Sequence, residues 1–151
     1  MNYPREQRFK ALFDLVSSAT IYGIPAFKFC TRKYMTWTEV TEALQPALVQ
    51  QQGSQRASSF RNYGETLWTP EVYEWIYIMH DPNDEIIPAT YVNNYLDAIE
   101  AVLMPDPSGR QTLGGLVEHC YIDGEVVADE GNDPSDVQIV IKVPVKINTG
   151  I

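Results

Sequence analysis

Two segments of the sequence carry the hydrophobic spacing of an amphipathic helix. Their apolar faces are formed by Phe9, Leu12, Phe13 and Val16 in the first segment and by Val92, Leu96, Ile99 and Leu103 in the second. Residues three, four and seven apart lie on one side of a helix, so this spacing predicts helices over 4–19 and 89–103. Pro4 suits the first turn of the first helix, and Gly23 with Pro25 stops any continuation beyond it.

A second pattern, in which apolar and polar residues alternate, predicts β-strands. The predicted strands are 27–35, 47–52, 65–68, 72–79, 116–128 and 137–147. The last is the most regular, because apolar residues occupy every second position from Val137 to Ile147 and fix its register against segment 116–128. Since proline cannot donate to a ladder of hydrogen bonds, Pro70 predicts an interruption or a bulge between strands, and Pro144 predicts a position at a sheet edge.

Polar segments connect these elements. A short helical turn is predicted over 38–44 and ends before Pro46. Segment 53–64 is rich in serine and is typical of a hairpin tip or a mobile loop. Segment 129–136 is rich in turn-forming residues and joins the last two strands.

The order of the elements predicts the fold class. A helix, several antiparallel strands, a second helix and a final pair of strands are typical of an α+β fold. We expect an antiparallel or mixed β-sheet with the two main helices packed on one face and a long C-terminal β-hairpin. The length of 151 residues suits one compact core, so residues 1–151 are expected to form a single domain.

The charge of the chain argues against a surface built to bind nucleic acid. Eleven Lys and Arg stand against 20 Asp and Glu, which gives a formal net charge of −9. Phosphates are neutralised by cationic surfaces, so sequence-specific DNA binding is not expected. The same charge would let DNA slide past without being held, because like charges repel at short range.

The chain also lacks the sequence features of a secreted or membrane protein. Its first ten residues are polar, and no apolar run approaches the roughly 20 residues needed to cross a bilayer. Cys30 and Cys120 are far apart and have no CxxC spacing, which favours reduced thiols. We expect a protein made in the cytosol, with no membrane segment.

The sequence shows no motif with the spacing that catalysis or cofactor binding requires. The glycine-rich phosphate-binding motifs GxGxxG and GxxxxGK(S/T) do not occur. His119 and Cys120 are adjacent, but adjacent residues of a strand point to opposite faces and cannot form a hydrogen-bonded catalytic pair. Trp37, Trp68 and Trp75 could stack bases, yet the basic residues needed beside them are missing, so core positions are favoured. We expect no catalytic residue and no cofactor.

The acidic segment 129–136 contains potential ligands for a cation. Its carboxylates are Asp129, Glu130, Asp133 and Asp136. Calcium prefers such oxygen ligands, but the ordered DxDxDG spacing with a distant glutamate is absent. A solvated loop is favoured, and we expect no metal site.

The C-terminal part of the chain, residues 112–147, carries a distinctive set of residues. They are Thr112, Leu113, Gly114, Gly115, Leu116, Val117, His119, Cys120, Tyr121, Ile122, Gly124, Glu125, Val143, Pro144, Val145 and Ile147. In these residues the segment resembles the closing hairpin of the tail terminator (tail completion) proteins of tailed bacteriophages. Matching residues upstream are Trp37, Val40, Pro46, Ala47, Leu48 and segment 96–107. The sequence departs from the family pattern at 132–135 and around 53–64.

The resemblance implies a structural virion protein and not an enzyme. Proteins of this family form a hexameric ring on the head-proximal end of the tail, stop polymerisation of the tail-tube protein and present a surface to the head connector. The implied partners are further copies of the chain, the tail-tube protein and the head–tail connector. The implied location is the virion, with DNA passing through the ring without sequence-specific binding.

A closed ring needs two different patches of each subunit to meet. We expect strand 72–79 or the final hairpin to continue across subunits, because both are long and β-prone. The interface candidates in these strands are Trp75, Ile76, Ile78, Val143 and Val145.

Segment 53–64 is a second candidate for docking. It carries Arg56 and Arg61 with no acidic residue between them, and either a solvated hairpin tip or a contact with the tube protein or an acidic neighbouring subunit would explain this. In the ring, the acidic residues Asp129, Glu130, Asp133 and Asp136 are expected to face the channel.

Other functions remain open on the sequence alone. A head–tail connector or a tail-tube subunit, both ring components of the same junction, would share these features. A small hydrolase using Cys120 or His119 would need a pocket with a base beside the thiol. An acidic adaptor for a basic host protein needs only the net charge.

Overall fold

The computed structural model describes residues 3–59, 66–83, 85–131 and 136–150. Its elements are α1 (Arg5–Ser17), β1 (Thr20–Ile21), β2 (Ile24–Pro25), β3 (Phe29–Thr31), a 3₁₀ turn (Glu42–Leu44), β4 (Ala47–Ser59), β5 (Thr66–Met79), α2 (Pro88–Val102), β6 (His119–Ile122), β7 (Val127–Asp129) and β8 (Gln138–Asn148).

Both predicted helices are present, and both pack on the same face of the main sheet. Leu12 of α1 and Ile99 of α2 are fully buried in one core with Ile76 of β5 and Ile141 of β8. Pro88 opens α2, where the missing N–H of proline costs nothing. No helix within the described ranges is long and apolar enough to cross a membrane.

The main sheet has six described strands in the order β3–β4–β5–β8–β6, with β7 also paired to β8. β3 runs parallel to β4, and the other pairings described in this sheet are antiparallel. The predicted α+β fold is therefore confirmed, with a mixed sheet and both helices on one face.

The final strand shows the predicted alternation. Its fully buried residues are Ile139, Ile141, Val143, Val145 and Ile147. Segment 116–128 pairs antiparallel with this strand, as predicted, but as two short strands, β6 and β7, and not as one.

Pro144 explains this break, and its predicted position at a sheet edge is wrong. It lies in the middle of β8, opposite Tyr73 of β5, and its carbonyl accepts a hydrogen bond from Asp123 N on the other side. The missing N–H of Pro144 points to that same side, because the N–H and C=O of one strand residue share a direction. The segment that pairs with β8 leaves the ladder between β6 and β7, at the point where Pro144 has no N–H to donate.

The predicted loop over 53–64 is wrong for residues 53–59, which continue β4. At Pro70 the predicted interruption is wrong, because β5 is one strand of 14 residues, but the predicted alternative, a bulge, is present in the ladder opposite Pro70 and Val72. The irregularity lies in β4, where the register shifts between Gln52 and Gln55. The ladder between β5 and β8 begins at Glu71, so residues 55–59 and 66–70 extend beyond the sheet as a two-stranded ribbon, which we call the arm.

The predicted strand 27–35 is reduced to the three residues of β3. Before β3, the chain forms a small hairpin, β1–β2, whose turn holds Tyr22 and Gly23 at positive φ. The segment after β3 crosses the face of the sheet opposite the helices, where Val40 is buried and Tyr77 Oη donates a hydrogen bond to Met35 O at 2.7 Å. The predicted helical turn over 38–44 is present only as its last three residues.

Candidate functional site

Four of the proposed interface residues lie in the core of the single chain. Ile76, Ile78, Val143 and Val145 are buried beneath the helices, so their side chains offer no surface to a neighbouring subunit. The strands that carry them are also closed to a neighbour, because β5 is paired on both sides along 72–77 and β8 lies between β5 and β6–β7. The expectation that strand 72–79 itself pairs across subunits is therefore corrected. Trp75 lies on the opposite face and stays a candidate.

Edges of the sheet are open elsewhere. β3 covers only residues 47–49 of β4, so no described strand pairs with the outer side of β4 from Gln50 to its end. On the far side of the sheet, β6 and β7 have no described strand beyond them. These two edges belong to different strands, which is the arrangement that a head-to-tail contact between copies requires.

Arg56 lies on the arm and is exposed to solvent. Its backbone is aligned with Thr69 of β5. Neighbouring residues of a strand alternate between faces, so Arg56 points away from the side on which Gln55 meets the first helix. Arg61 lies outside the described residues.

A cationic pocket lies at the base of the arm, on the side that faces α1. It has a volume of about 300 Å³ and is lined by Tyr3, Pro4, Arg5, Arg8, Thr66, Trp68 and Thr149. The Arg5 guanidinium lies 4.5 Å from the centre of the Trp68 ring, and its Nε donates a hydrogen bond to Gln55 Oε1 at 3.1 Å. We call this the arginine pocket.

Arg8 is the unusual residue of the arginine pocket, because it is a cation with only 7% of its surface exposed. Its Nε donates to Leu116 O at 3.2 Å, and no described carboxylate forms an ion pair with Arg8 or with Arg5. Burial, and then the charge of Arg5, lowers the pKa of Arg8. The pocket therefore holds two like charges without a described counter-ion.

The acidic candidates lie at the opposite end of the sheet. Asp129 ends β7 and is aligned with Val140, which is aligned in turn with Tyr77 of β5. Asp129, Glu130 and Asp136 are exposed, whereas Asp133 lies outside the described residues. Their place in a channel stays a prediction.

Aromatic side chains line a cleft on the sheet face opposite the helices. The cleft has a volume of about 510 Å³, and its lining includes Tyr34, Trp37, Trp75, Tyr77 and Lys142. Trp75 Nε1 donates to Gln51 Oε1 at 2.9 Å, which fixes the indole. The expected core position is wrong for Trp37, which is 48% exposed.

His119 and Cys120 border a cavity of about 410 Å³ beside the end of α2. The Cys120 thiol has no exposed surface, and burial raises its pKa to about 12, so the reactive thiolate is strongly disfavoured. His119 Nδ1 accepts a hydrogen bond from Gln111 N, and its ring stacks on Tyr121 at 4.7 Å. This geometry gives the hydrolase alternative a cavity but no activated nucleophile.

Within the described ranges, no three His, Cys, Asp or Glu side chains come together as a group that could hold a metal ion. Sequence reasoning named segment 53–64 as a docking candidate but missed that residues 53–59 are a strand of the arm, and it missed the arginine pocket entirely. The arm has polar residues on both faces and so lacks a hydrophobic period. The pocket joins residues from α1, β5 and the segment after β8, and only the tertiary fold brings these together.

A scan against models of protein families finds no match to this sequence, and a search of curated proteins finds no similar chain.

Proposed function

We propose that this protein is a tail terminator of a tailed bacteriophage. Copies of the chain form a ring, hexameric by analogy with the family it resembles, on the head-proximal end of the tail tube. The ring stops polymerisation of the tube protein and provides the surface that joins the head connector. The protein acts as a structural component of the virion and catalyses no reaction.

The observation that carries this proposal is the arm together with the two open edges of the sheet. The arm extends both β4 and β5 beyond the part of the sheet that pairs with β8, and β4 has no described partner on its outer side there. Open edges and exposed ribbons favour pairing with other chains. Because the open edges differ, copies would meet head to tail, which closes a ring when the rotation between copies is right.

The arm supplies a contact for the tube protein. Arg56 is exposed on it, and an arginine can form paired hydrogen bonds with a carboxylate of a partner. A formal charge of −9 on each copy favours a ring through which DNA passes without being bound.

Electron microscopy of the purified protein, mixed with growing tubes of the phage's tail-tube protein, tests the proposal. We expect short closed rings and tubes that carry a ring at one end and stop growing. Spontaneous tubes of this protein alone would instead identify a tube subunit. Binding to the connector without any effect on tube growth would identify a head–tail connector.

A matched pair of variants tests the arm. Arg56→Ala combined with Arg61→Ala should reduce the joining of tails to heads, and the melting temperature of the free protein should not change because Arg56 is exposed. Lys28→Ala removes another exposed cation and serves as the control. Joining at the natural rate by the double variant would reject a docking role for the arm.

A further inference from the structure

The arginine pocket and the acidic end of β7 carry charges of opposite sign, and neither has a described ion-pair partner within the chain. Arg5 and Arg8 have no described carboxylate partner, and Asp129 and Glu130 have no described cation within ion-pair distance. Only 7% of the surface of Arg8 is exposed, and its Nε donates to Leu116 O, which replaces part of the lost hydration but supplies no counter-charge, so the buried cation is costly. An oxyanion entering the pocket would remove this cost.

The two patches cannot meet within one molecule. Trp68 lines the arginine pocket, whereas Asp129 lies level with Tyr77, nine residues further along β5. At about 3.3 Å per strand residue, the patches are separated by about 30 Å along the sheet.

We propose that the arginine pocket binds the acidic end of β7, Asp129 and Glu130, of a second copy of this chain. The proposal rests on the ring described above and names its interface. The ligand is a carboxylate, for which the planar guanidinium groups of Arg5 and Arg8 have the right fork geometry. Thr66 also lines the pocket and adds a hydroxyl group near the incoming oxygens, whereas the hydroxyl of Thr149 donates to Trp68 O at 2.9 Å.

Several features of the pocket suit a protein carboxylate. The first turn of α1 borders it, Pro4 provides no side-chain cap, and the free N–H groups there favour a negative charge. Trp68 forms an apolar wall that lowers the local exposure to water and strengthens the pairing. The contact is heterologous, because the pocket and the acidic patch are different surfaces, and it repeats around a ring.

Charge reversal tests the contact, with sedimentation velocity of the full chain as the readout. The natural protein should associate as its concentration rises. Arg5→Glu should weaken association about tenfold or more, and so should Asp129→Lys combined with Glu130→Lys. An acidic residue in the first helical turn is favourable, so Arg5→Glu should not unfold α1. Lys28→Glu makes the same change of charge at an exposed site outside the pocket and should leave association unchanged.

The decisive sample is an equimolar mixture of the two weakened variants. In the mixture, the unchanged pocket of the Asp129→Lys, Glu130→Lys variant meets the unchanged acidic end of β7 of the Arg5→Glu variant, so the two variants should associate with each other although each associates only weakly alone. A mixture that stays monomeric, a natural protein that is monomeric at every concentration, or an Arg5→Glu variant that associates normally would overturn the proposal.

The same variants separate this inference from the proposed function. If the natural protein and Arg5→Glu cap tail tubes with equal rings, the pocket contact is wrong and the terminator function stands. If the charge-swapped mixture associates but the natural protein does not affect tube growth, the contact stands and the function is wrong.

Discussion

Glu74 is a carboxyl group in the centre of the sheet without a described partner. Its side chain has no exposed surface, its backbone is aligned with Gln50 of β4, and neither of its oxygens forms a hydrogen bond with the described residues. Burial raises the pKa of Glu74 well above its ordinary value of 4.5. The folded protein therefore favours the neutral carboxyl group, which Glu74→Gln mimics in size without a titratable proton.

The substitution should stabilise the protein increasingly as the pH rises. Above its ordinary pKa, Glu74 loses its proton in the unfolded chain but keeps it in the folded protein. Ionisation therefore lowers the free energy of the unfolded state relative to the folded state. The free energy of unfolding of the natural chain, compared with the variant, should fall by about 1.4 kcal/mol per pH unit. The fall begins at the unfolded pKa and ends once the pH has passed the folded pKa. Each unit corresponds to a difference of about 3–5 °C in melting temperature for a chain of this size.

Urea unfolding at pH 5, 6 and 7, followed by tryptophan fluorescence, measures this difference. Glu125→Gln is the matched control, because Glu125 is exposed and its replacement should change stability by a small and constant amount. If the natural protein and Glu74→Gln keep the same difference in unfolding free energy at all three pH values, Glu74 is ionised when folded and the reasoning from burial fails.

Three further predictions follow from individual contacts. Cys120 should react with iodoacetamide at pH 8 only when the protein unfolds, because it is buried and its pKa is raised to about 12; rapid alkylation of the folded protein, followed by mass spectrometry, would contradict this. Gly124→Ala should lower the unfolding free energy by about 1–2 kcal/mol more than Gly109→Ala in urea titrations, because a Cβ at Gly124 would lie 3.2 Å from a proline ring whereas Gly109 faces open space. Tyr77→Phe should cost about 0.5–1.5 kcal/mol in thermal unfolding, because it leaves Met35 O without its donor, and an unchanged melting temperature would show that water replaces the bond.

The parts of the fold that the sequence predicts are the helices and strands that are buried on one face. α1, α2 and β8 each bury one side against a common core, so selection for that side leaves a period of 3.6 or 2 in the sequence. The boundaries of both helices agree with the prediction within two residues. Core membership of Leu12, Ile99 and Ile141 follows directly from that period.

The missed parts depend on partners that are distant in the sequence. The arm leaves both faces of residues 55–59 near solvent, so it has the composition of a loop and is held as a strand by its ladder with β5. The position of Pro144 in the middle of the sheet could be predicted only by knowing that the segment between β6 and β7 leaves the ladder opposite it. The arginine pocket is still less visible, since Arg8 looks like an ordinary polar position of a helix until Trp68 and Thr149 close around it.

The inferred contact changes which residues could give the proposed ring an acidic channel. If Asp129 and Glu130 are held in the arginine pocket of a neighbour, their charges are neutralised at the interface and cannot face passing DNA. The net charge of a ring stays at six times −9, because both partners of the contact come from the same chain. The repulsion of DNA would then come from carboxylates outside the contact, among which Glu125 is exposed and unpaired within the described residues. In the proposed ring, acidity of the whole subunit, and not of one acidic loop, would therefore be the property that lets DNA pass.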